Sequence, residues 1–146
     1  MSNRQIHVFI SHAWTHSHHY DTLASWIFSE RWSVGQAALD FRDFSVPQNN
    51  PIHNAPNSKA LRDAIFNQIA RSHVVVIPTG MYANHSEWIK KEMHGAKAYE
   101  KPILAVIPWG QQKNSGVVLD NADMDVGWNK KPLVRAIWDL YYSKNR

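Results

Sequence analysis

The stretch V-V-V-I at residues 74–77 is uninterrupted by any polar side chain and is followed at once by Pro78-Thr79-Gly80. A strand with one face in water alternates apolar and polar positions, whereas a strand buried on both faces is continuously apolar. The stretch therefore predicts a central strand of a parallel sheet. Ile103 to Ile107 (I-L-A-V-I), stopped by Pro108-Trp109-Gly110, predicts a second strand of the same kind.

Before and after these two strands in the sequence, short runs of β-branched residues alternate with amphipathic stretches. This alternation is typical of an α/β domain in which helices cover both faces of a parallel sheet. About five strands in this length favour a flavodoxin-like sheet of strand order 2-1-3-4-5. The further predicted strands are Ile6 to Ser11, Ala37 to Leu39 running into Asp40–Asp43, and a weak edge strand near Met124 to Trp128. The predicted helices are His18 to Glu30, Ser58 to Ala70 with Ser58 as N-cap, Ser86 to about Tyr99 with Ser86 as N-cap, and Leu133 to Tyr142.

The chain has 146 residues, the length of one domain, so we interpret residues 1–146 as a single domain. Hydrophobic residues make up 44% and charged residues 19%, a balance that excludes a wholly disordered or collagen-like chain. The sequence contains no cysteine, which excludes a disulfide scaffold, a thiolate zinc site, an iron–sulfur cluster and a cysteine nucleophile.

The formal net charge is +4, from 16 Lys and Arg against 12 Asp and Glu. A basic excess is compatible with nucleic acid, a membrane or an anionic small molecule. The basic residues are scattered and do not interleave with aromatic side chains, so we expect no nucleic-acid partner. The polar start Met1–Gln5 lacks the features of a signal peptide, and no apolar run reaches the roughly 18 residues of a membrane span. We therefore expect a cytoplasmic protein with no membrane partner.

In sheets of this class, ligands bind at the carboxyl ends of the strands. Four segments follow predicted strands and are predicted to border a binding site. They are Ser11 to Trp14, Asp40 to Asp43, Thr79 to Tyr82, and Pro108 to Gly110. The long segment Ser45 to Asn57 contains Pro47, Pro51 and Pro56, so it fits neither a helix nor a sheet interior. Loops of this length in compact domains are usually functional or disordered.

The absence of several sequence motifs excludes the classes of activity that depend on them. The sequence has no glycine-rich dinucleotide fingerprint, Walker A sequence, H-E-x-x-H motif or G-x-S-x-G elbow. His12, His16, His18 and His19 are close in sequence, but no Asp or Glu stands among them. Solvated or capping roles are therefore favoured over a metal site, and no metal is expected. His12, at the end of the first strand, is a candidate for ligand contact.

The predicted helix that begins at Ser86 contains Glu92, the charged residue that says most about function. Trp88 and Glu92, at i and i+4, share a stripe beside the apolar stripe that begins at Ile89. Spacing alone favours a surface glutamate beside a packing tryptophan. The alternative is a partly buried carboxylate that stabilises a developing cation. Glu87 lies on another face in the first turn, where a helix-dipole role is favoured.

The cluster Asp40-Phe41-Arg42-Asp43 leaves two interpretations open. One is a charged strand end without further role. The other is a ligand contact in which Arg42 binds a phosphate or ribose and Phe41 stacks on a ring. The residues alone favour neither.

Five segments together resemble the TIR-like proteins of bacterial Thoeris antiphage systems. They are F-I-S-H-A-W (Phe9 to Trp14), D-F-R-D-F-S-V-P (Asp40 to Pro47), G-M-Y-A-N-H-S-E-W-I-K-K-E (Gly80 to Glu92), K-P-I-L-A-V-I-P-W-G (Lys101 to Gly110) and V-G-W-N (Val126 to Asn129). Each segment alone is a weak signal, but the ordered set spans nearly the whole chain and is specific. The resemblance implies a TIR domain with a flavodoxin-like fold.

The resemblance also implies an activity. Many TIR domains cleave the nicotinamide–ribose bond of NAD+. Their essential glutamate lies four residues after a tryptophan on the helix after strand three, a spacing that Trp88 and Glu92 meet. It thus implies a catalytic Glu92, NAD+ as substrate, no separate cofactor and no metal. The expected substrate-binding residues are Ser11, His12, Ala13, Trp14, Phe41, Arg42, Asp43, Thr79, Gly80, Tyr82 and Trp88, and the loop residues Ser45, Val46 and Pro47 are expected to border the pocket.

The same resemblance implies that the protein is an NAD+ glycohydrolase or cyclase. Its ADP-ribose-derived product, expected to be cyclic, is a signalling nucleotide that activates a separate effector protein in antiphage defence. The resemblance further implies a phage-derived trigger and self-association in the active state. Two alternatives stay open. One is a non-catalytic TIR module that binds partners through the Ser45 to Asn57 loop, and the other is a nucleoside-deoxyribosyltransferase-like enzyme, whose related fold also relies on a glutamate.

Overall fold

A computed structural model describes residues 3–11, 17–34, 37–44, 58–79, 82–107 and 116–145. Within these ranges strands and helices alternate, as the sequence predicts. The elements are β1 (Asn3–Ile10), α1 (Ser17–Phe28), β2 (Trp32–Val34), β3 (Ala37–Asp43), α2 (Ser58–Ala70), β4 (Val74–Pro78), α3 (Tyr82–Ala98), β5 (Ile103–Ile107), α4 (Gly116–Asn121), β6 (Met124–Gly127) and α5 (Lys130–Asn145).

The described strands form one sheet of order β2-β3-β1-β4-β5-β6. β1, β3, β4, β5 and β6 pair in parallel, and the edge strand β2 is antiparallel to β3. The five parallel strands follow the predicted order 2-1-3-4-5, so the flavodoxin-like arrangement is confirmed. The sheet has one strand more than predicted, because Trp32–Val34 is too short to show an alternating pattern.

Helices cover both faces of the sheet, as predicted. Ile6, Val8 and Ile10 of β1 belong to the core that α1 and α5 cover, whereas Phe9 between them belongs to the core that α2, α3 and α4 cover. All of β4 is buried, and so is β5 up to its last residue, Ile107. A strand between two layers of helices has no position suited to a polar side chain, which explains its continuous apolar run.

Four of the described helices differ from the predictions. α1 begins one residue before and ends two residues before the predicted bounds, His18 and Glu30. α3 begins at Tyr82, so Ser86 lies inside this helix and the prediction that Ser86 is its N-cap is wrong. α5 extends beyond Leu133–Tyr142 at both ends, because its polar ends add nothing to the apolar repeat from which it is predicted. The sequence does not predict α4, whose six residues are too few for a helical repeat to emerge.

α3 approaches α2 most closely at Gly95. A Cβ atom built at this glycine would lie 2.8 Å from Cδ1 of Phe66 and 3.1 Å from Cδ1 of Ile69, both on α2. The first distance is shorter than carbon atoms tolerate, so only glycine fits without a shift of the neighbouring side chains. The separation of the two helices, and with it the position of Glu92 three residues earlier on α3, depends on this glycine.

Two histidines join β1 to the start of β4. The His7 backbone N–H donates to Nδ1 of His73 at 2.9 Å, and the His73 N–H donates to the His7 carbonyl at 2.7 Å. The ring of Tyr141 lies edge-on to that of His73, with the centroids 5.0 Å apart. Burial, followed by the charges of His7 and Lys101, lowers the pKa of His73 from 6.5 to about 4. His73 is therefore neutral at neutral pH, as an accepting Nδ1 requires.

Gly95→Ala should lower the free energy of unfolding by about 1–3 kcal/mol, the usual cost of overpacking a core. The loss is expected although alanine is about 1 kcal/mol better than glycine in a helix interior. Urea unfolding of both proteins measures the difference. The control is the same change in a Phe66→Leu background, where the added methyl has more room and the cost should shrink. Equal costs in the two backgrounds would contradict the packing argument.

Acid should destabilise the fold through His73. The unfolded imidazole takes up a proton near pH 6.5, whereas the folded one does so only near pH 4. The free energy of unfolding should therefore fall as the pH is lowered through this window. Urea unfolding at about pH 7 and about pH 5 compares the native chain with His73→Asn, whose side-chain oxygen accepts the same bond without titrating. The variant should lose less stability between the two pH values; if it loses as much, His73 is not the cause.

Candidate functional site

A buried hydrogen bond joins the end of β1 to α3. Ser11 directly follows β1, and its hydroxyl donates to Oε1 of Glu92. Both residues are enclosed, since Ser11 is 0% and Glu92 is 1% exposed. The partners are 81 positions apart in sequence. The contact therefore forms only when the sheet and α3 are assembled.

The sheet holds Ser11 in place. The Ser11 N–H donates to the Val76 carbonyl of β4 at 2.8 Å. This bond extends the parallel ladder in which Ile10 is paired with Val76. Ser11 lies at the carboxyl end of β1, where the sequence predicts it, and the neighbouring strand fixes its backbone.

Glu92 lies on α3 beside the residues that pack against the sheet. Met93 and Ala96 belong to the core on that face. Side chains of a helix tilt toward its N-terminus. Because α3 starts just after β4 and so near the carboxyl edge of the sheet, this tilt directs Glu92 toward that edge. The surface position that spacing alone favours for Glu92 is wrong, and the carboxylate is buried.

Burying a carboxylate is costly unless hydrogen bonds replace its water. The hydroxyl of Ser11 supplies one such bond to Glu92. An apolar side chain at this helix position would avoid the cost altogether. Buried ionisable groups inside clefts are frequent at functional sites, which makes Glu92 a candidate functional residue on physical grounds. Its catalytic role stays a prediction.

Ser11 and Glu92 lie at the point where the strand order of the sheet reverses. β1 is placed between β3 and β4. α1, which follows β1, packs on one face, and α3, which follows β4, packs on the other. In open α/β sheets, helices that follow two neighbouring strands on opposite faces mark the crevice in which ligands bind. Thr79, buried directly after β4, lies at the same edge.

The structure places Phe41 away from this crevice. Phe41 is 8% exposed and packs in the core covered by α1 and α5, on the face of the sheet opposite α3. Its ring is therefore a packing residue, and the predicted stacking role is corrected. The reason is the period of two along β3, which turns Leu39 and Phe41 inward and Asp40 and Arg42 outward.

Arg42 lies at the exposed end of β3. Its guanidinium pairs with Asp40 at 2.9 Å, and more than half of its side-chain surface is exposed. This is the charged strand end of the first interpretation, while binding of a phosphate by Arg42 stays a prediction. Asp43, also exposed, is the last residue of β3.

The remaining predicted site residues are only partly covered by the structure. Trp88 and Glu92 lie on the same helix, α3, four residues apart. Tyr82 begins that helix, and the side chains of Tyr82 and Trp88 are outside the described part. The positions that lie outside the described residues altogether are His12, Ala13, Trp14, Ser45, Val46, Pro47 and Gly80.

Within the described ranges, no three His, Asp or Glu side chains are grouped so as to hold a metal ion. His12 and His16 are outside these ranges. None of the described helices has the length and apolar character needed to cross a bilayer.

The sequence does not predict the bond between Ser11 and Glu92. A partial signal is present, because the strand order 2-1-3-4-5 makes β1 the neighbour of β4, and Glu92 lies on the helix after β4. What is missing is the rotation of α3 about its axis, which depends on its packing against α2.

Comparison with known proteins agrees with the resemblance noted in the sequence. The profile of the family described as "Thoeris protein ThsB, TIR-like domain" matches residues 9–113. The match covers more than two thirds of the chain and includes both Ser11 and Glu92. No curated protein matches the chain.

Among solved structures, the chain is similar to translation elongation factor SelB from Methanococcus maripaludis. The apo form matches with a TM-score of 0.59 and 11% identity, over 100% of this chain and 36% of that one. The same factor in complex with the GTP analogue GPPNHP matches with a TM-score of 0.54 and 10% identity, over 99% of this chain and 34% of that one. The chain thus spans about a third of the length of that factor. At this identity the likeness shows the α/β fold alone.

Proposed function

Because the chain belongs to the family of TIR-like domains of the Thoeris protein ThsB, we propose that it cleaves the nicotinamide–ribose bond of NAD+ and makes a signalling nucleotide from the ADP-ribose part. Glu92 is the catalytic residue in this proposal. The product, expected to be cyclic, activates a separate effector protein in antiphage defence.

The observation that carries the proposal is the buried carboxylate of Glu92 at the carboxyl edge of β1 and β4. Ligands of open α/β sheets bind at this place. The hydroxyl of Ser11 donates to the carboxylate. A scaffold that only bound other proteins would gain nothing from a carboxylate removed from its surface.

Cleavage of the nicotinamide–ribose bond is favoured by a fixed negative charge beside the ribose. When the C–N bond breaks, nicotinamide leaves with the bonding electron pair as a neutral molecule, and positive charge develops on the ribose, as in glycoside hydrolysis. A carboxylate held beside the ribose stabilises this charge, and it does so more strongly where little water screens it. Attack by water then gives ADP-ribose, whereas attack by the substrate's own adenine or ribose gives a cyclic product.

NAD+ approaches Glu92 from the crevice between β1 and β4. Since Glu92 is buried, neighbouring groups have to move aside before the ribose reaches it. Thr79 lies at the same edge and is a proposed substrate contact. Arg42, at the end of the next strand, contacts a phosphate and gives up its exposed pairing with Asp40. Exposed ion pairs contribute about 0–1 kcal/mol, so this exchange costs little.

Glu92→Gln tests the proposal. The substitution removes the charge but keeps the shape and an oxygen that accepts from Ser11, so the melting temperature should change little. Nucleotides are measured by mass spectrometry in cells that express either protein, with and without phage. The native chain should release nicotinamide and form an NAD+-derived nucleotide, and the variant should lose about 100-fold or more of this turnover, as when a charge-stabilising group is removed.

Glu87→Gln is the matched control. It makes the same change five residues earlier on α3, on another face of the helix. Its turnover should stay near native, and an equal loss would mean that Glu92 is the wrong carboxylate. Unchanged NAD+ across several phages, with the native protein folded and abundant, would favour the non-catalytic module. Exchange of nucleobases on deoxynucleosides would favour the deoxyribosyltransferase-like alternative.

A further inference from the structure

We propose that Ser11 is a positioning residue that acts through Glu92: its hydroxyl holds the Glu92 carboxylate in the orientation used for bond cleavage and does not itself contact NAD+. This inference rests on the proposed function. It also replaces the substrate-binding role that the strand-end position alone predicts for Ser11.

Ser11 offers an unusually rigid point of attachment. Its backbone N–H is bonded to Val76 of β4. β1 itself lies between β3 and β4 and is hydrogen-bonded to both. A hydroxyl that extends from the end of this central strand therefore keeps its place when surface segments move. Positioning groups work best on such scaffold elements, because small displacements of a reacting group cost large factors in rate.

The Glu92 side chain needs such an anchor. A glutamate has three side-chain torsions, so its packing and its hydrogen bonds together decide the direction of the carboxylate. The hydrogen bond from Ser11 to Oε1 restricts these torsions. A hydrogen bond donated to a carboxylate also favours its ionised form, which is the form that stabilises a developing cation. Because a carboxylate accepts about four hydrogen bonds, the bond from Ser11 is compatible with bonds from ribose hydroxyls.

The burial of Ser11 separates positioning from substrate binding. Ser11 is 0% exposed. A serine hydroxyl carries one hydrogen, and in this structure that hydrogen is directed to Glu92. A direct contact with NAD+ would require the Ser11 oxygen to become accessible, so that its lone pairs accept a bond from the substrate. Action through Glu92 requires only that Glu92 become accessible.

The test compares Ser11→Ala with Ser11→Thr in the full chain. Alanine removes the hydroxyl and keeps the Cβ atom, and threonine keeps the hydroxyl. Turnover of added NAD+ is measured in desalted extracts of phage-infected cells, at equal amounts of each protein, to obtain kcat, KM and the pH profile. Ser11→Ala should lower kcat by about 10- to 100-fold, the usual range for partners that orient a functional ligand or side chain, and leave KM nearly unchanged. Ser11→Thr should restore most of kcat.

Ser72→Ala is the matched control for loss of a buried hydroxyl. Ser72 is also buried, and its hydroxyl donates to the Ile69 carbonyl at 2.8 Å, before the start of β4 and so at the other end of that strand. Its kcat should stay native. If the added methyl of Ser11→Thr lowers the melting temperature, Ser11→Cys is used in place of that variant. The thiol has a similar shape and is a weaker donor, so Ser11→Cys should give an intermediate kcat.

Four results would overturn the inference. A raised KM with native kcat in Ser11→Ala would show that Ser11 contacts the substrate. A raised kcat would show that the bond restrains Glu92 instead of orienting it. If Ser72→Ala loses as much kcat as Ser11→Ala, the loss in Ser11→Ala is explained by general destabilisation of the fold. Absence of Glu92-dependent turnover in the native chain would remove the proposed function itself, and comparison of native with Glu92→Gln extracts reports this before any Ser11 variant is assayed.

Discussion

The structure depends on one constraint, which is that the central strands must be covered on both faces. β4 has no polar position and is buried throughout. Helices therefore have to pack on both sides of it, and α1 and α5 cover one face while α2, α3 and α4 cover the other. Parallel strands need long crossover connections, which these helices provide. The change of face between α1 and α3 is what makes the ends of β1 and β4 a crevice and not a flat edge.

The same constraint brings a serine and a glutamate together across 81 positions of sequence. Ser11 is fixed because β1 is bonded on both sides, and Glu92 is fixed because Met93 and Ala96 on the same helix are part of the core. Neither partner lies on a surface loop. The contact between them is therefore formed by the sheet and by a helix packed against it.

Whether the sequence predicts an element depends on the number of residues over which its apolar pattern extends. The runs at 74–77 and 103–107 are long enough to predict buried strands, and the order of the five parallel strands follows from them and their neighbours. Trp32–Val34 and Gly116–Asn121 are too short for any period to show. Spacing places Glu92 next to the apolar stripe of α3, but whether that position faces water depends on how the helix is rotated. The close approach of α3 to α2 at Gly95 is part of this packing, and no pattern within α3 reveals it.

Burial of Glu92 has a consequence for any reaction at this site. A carboxylate that is 1% exposed meets a substrate only after its neighbours move. A ligand shifts the protein toward the arrangement with moved neighbours only where it binds that arrangement more tightly. Ser11 is hydrogen-bonded to β4 and Glu92 lies on a helix that packs against the core, so the sheet and α3 together carry their hydrogen bond. In the proposed reaction, the ribose therefore meets a carboxylate that the sheet and α3 already hold in place.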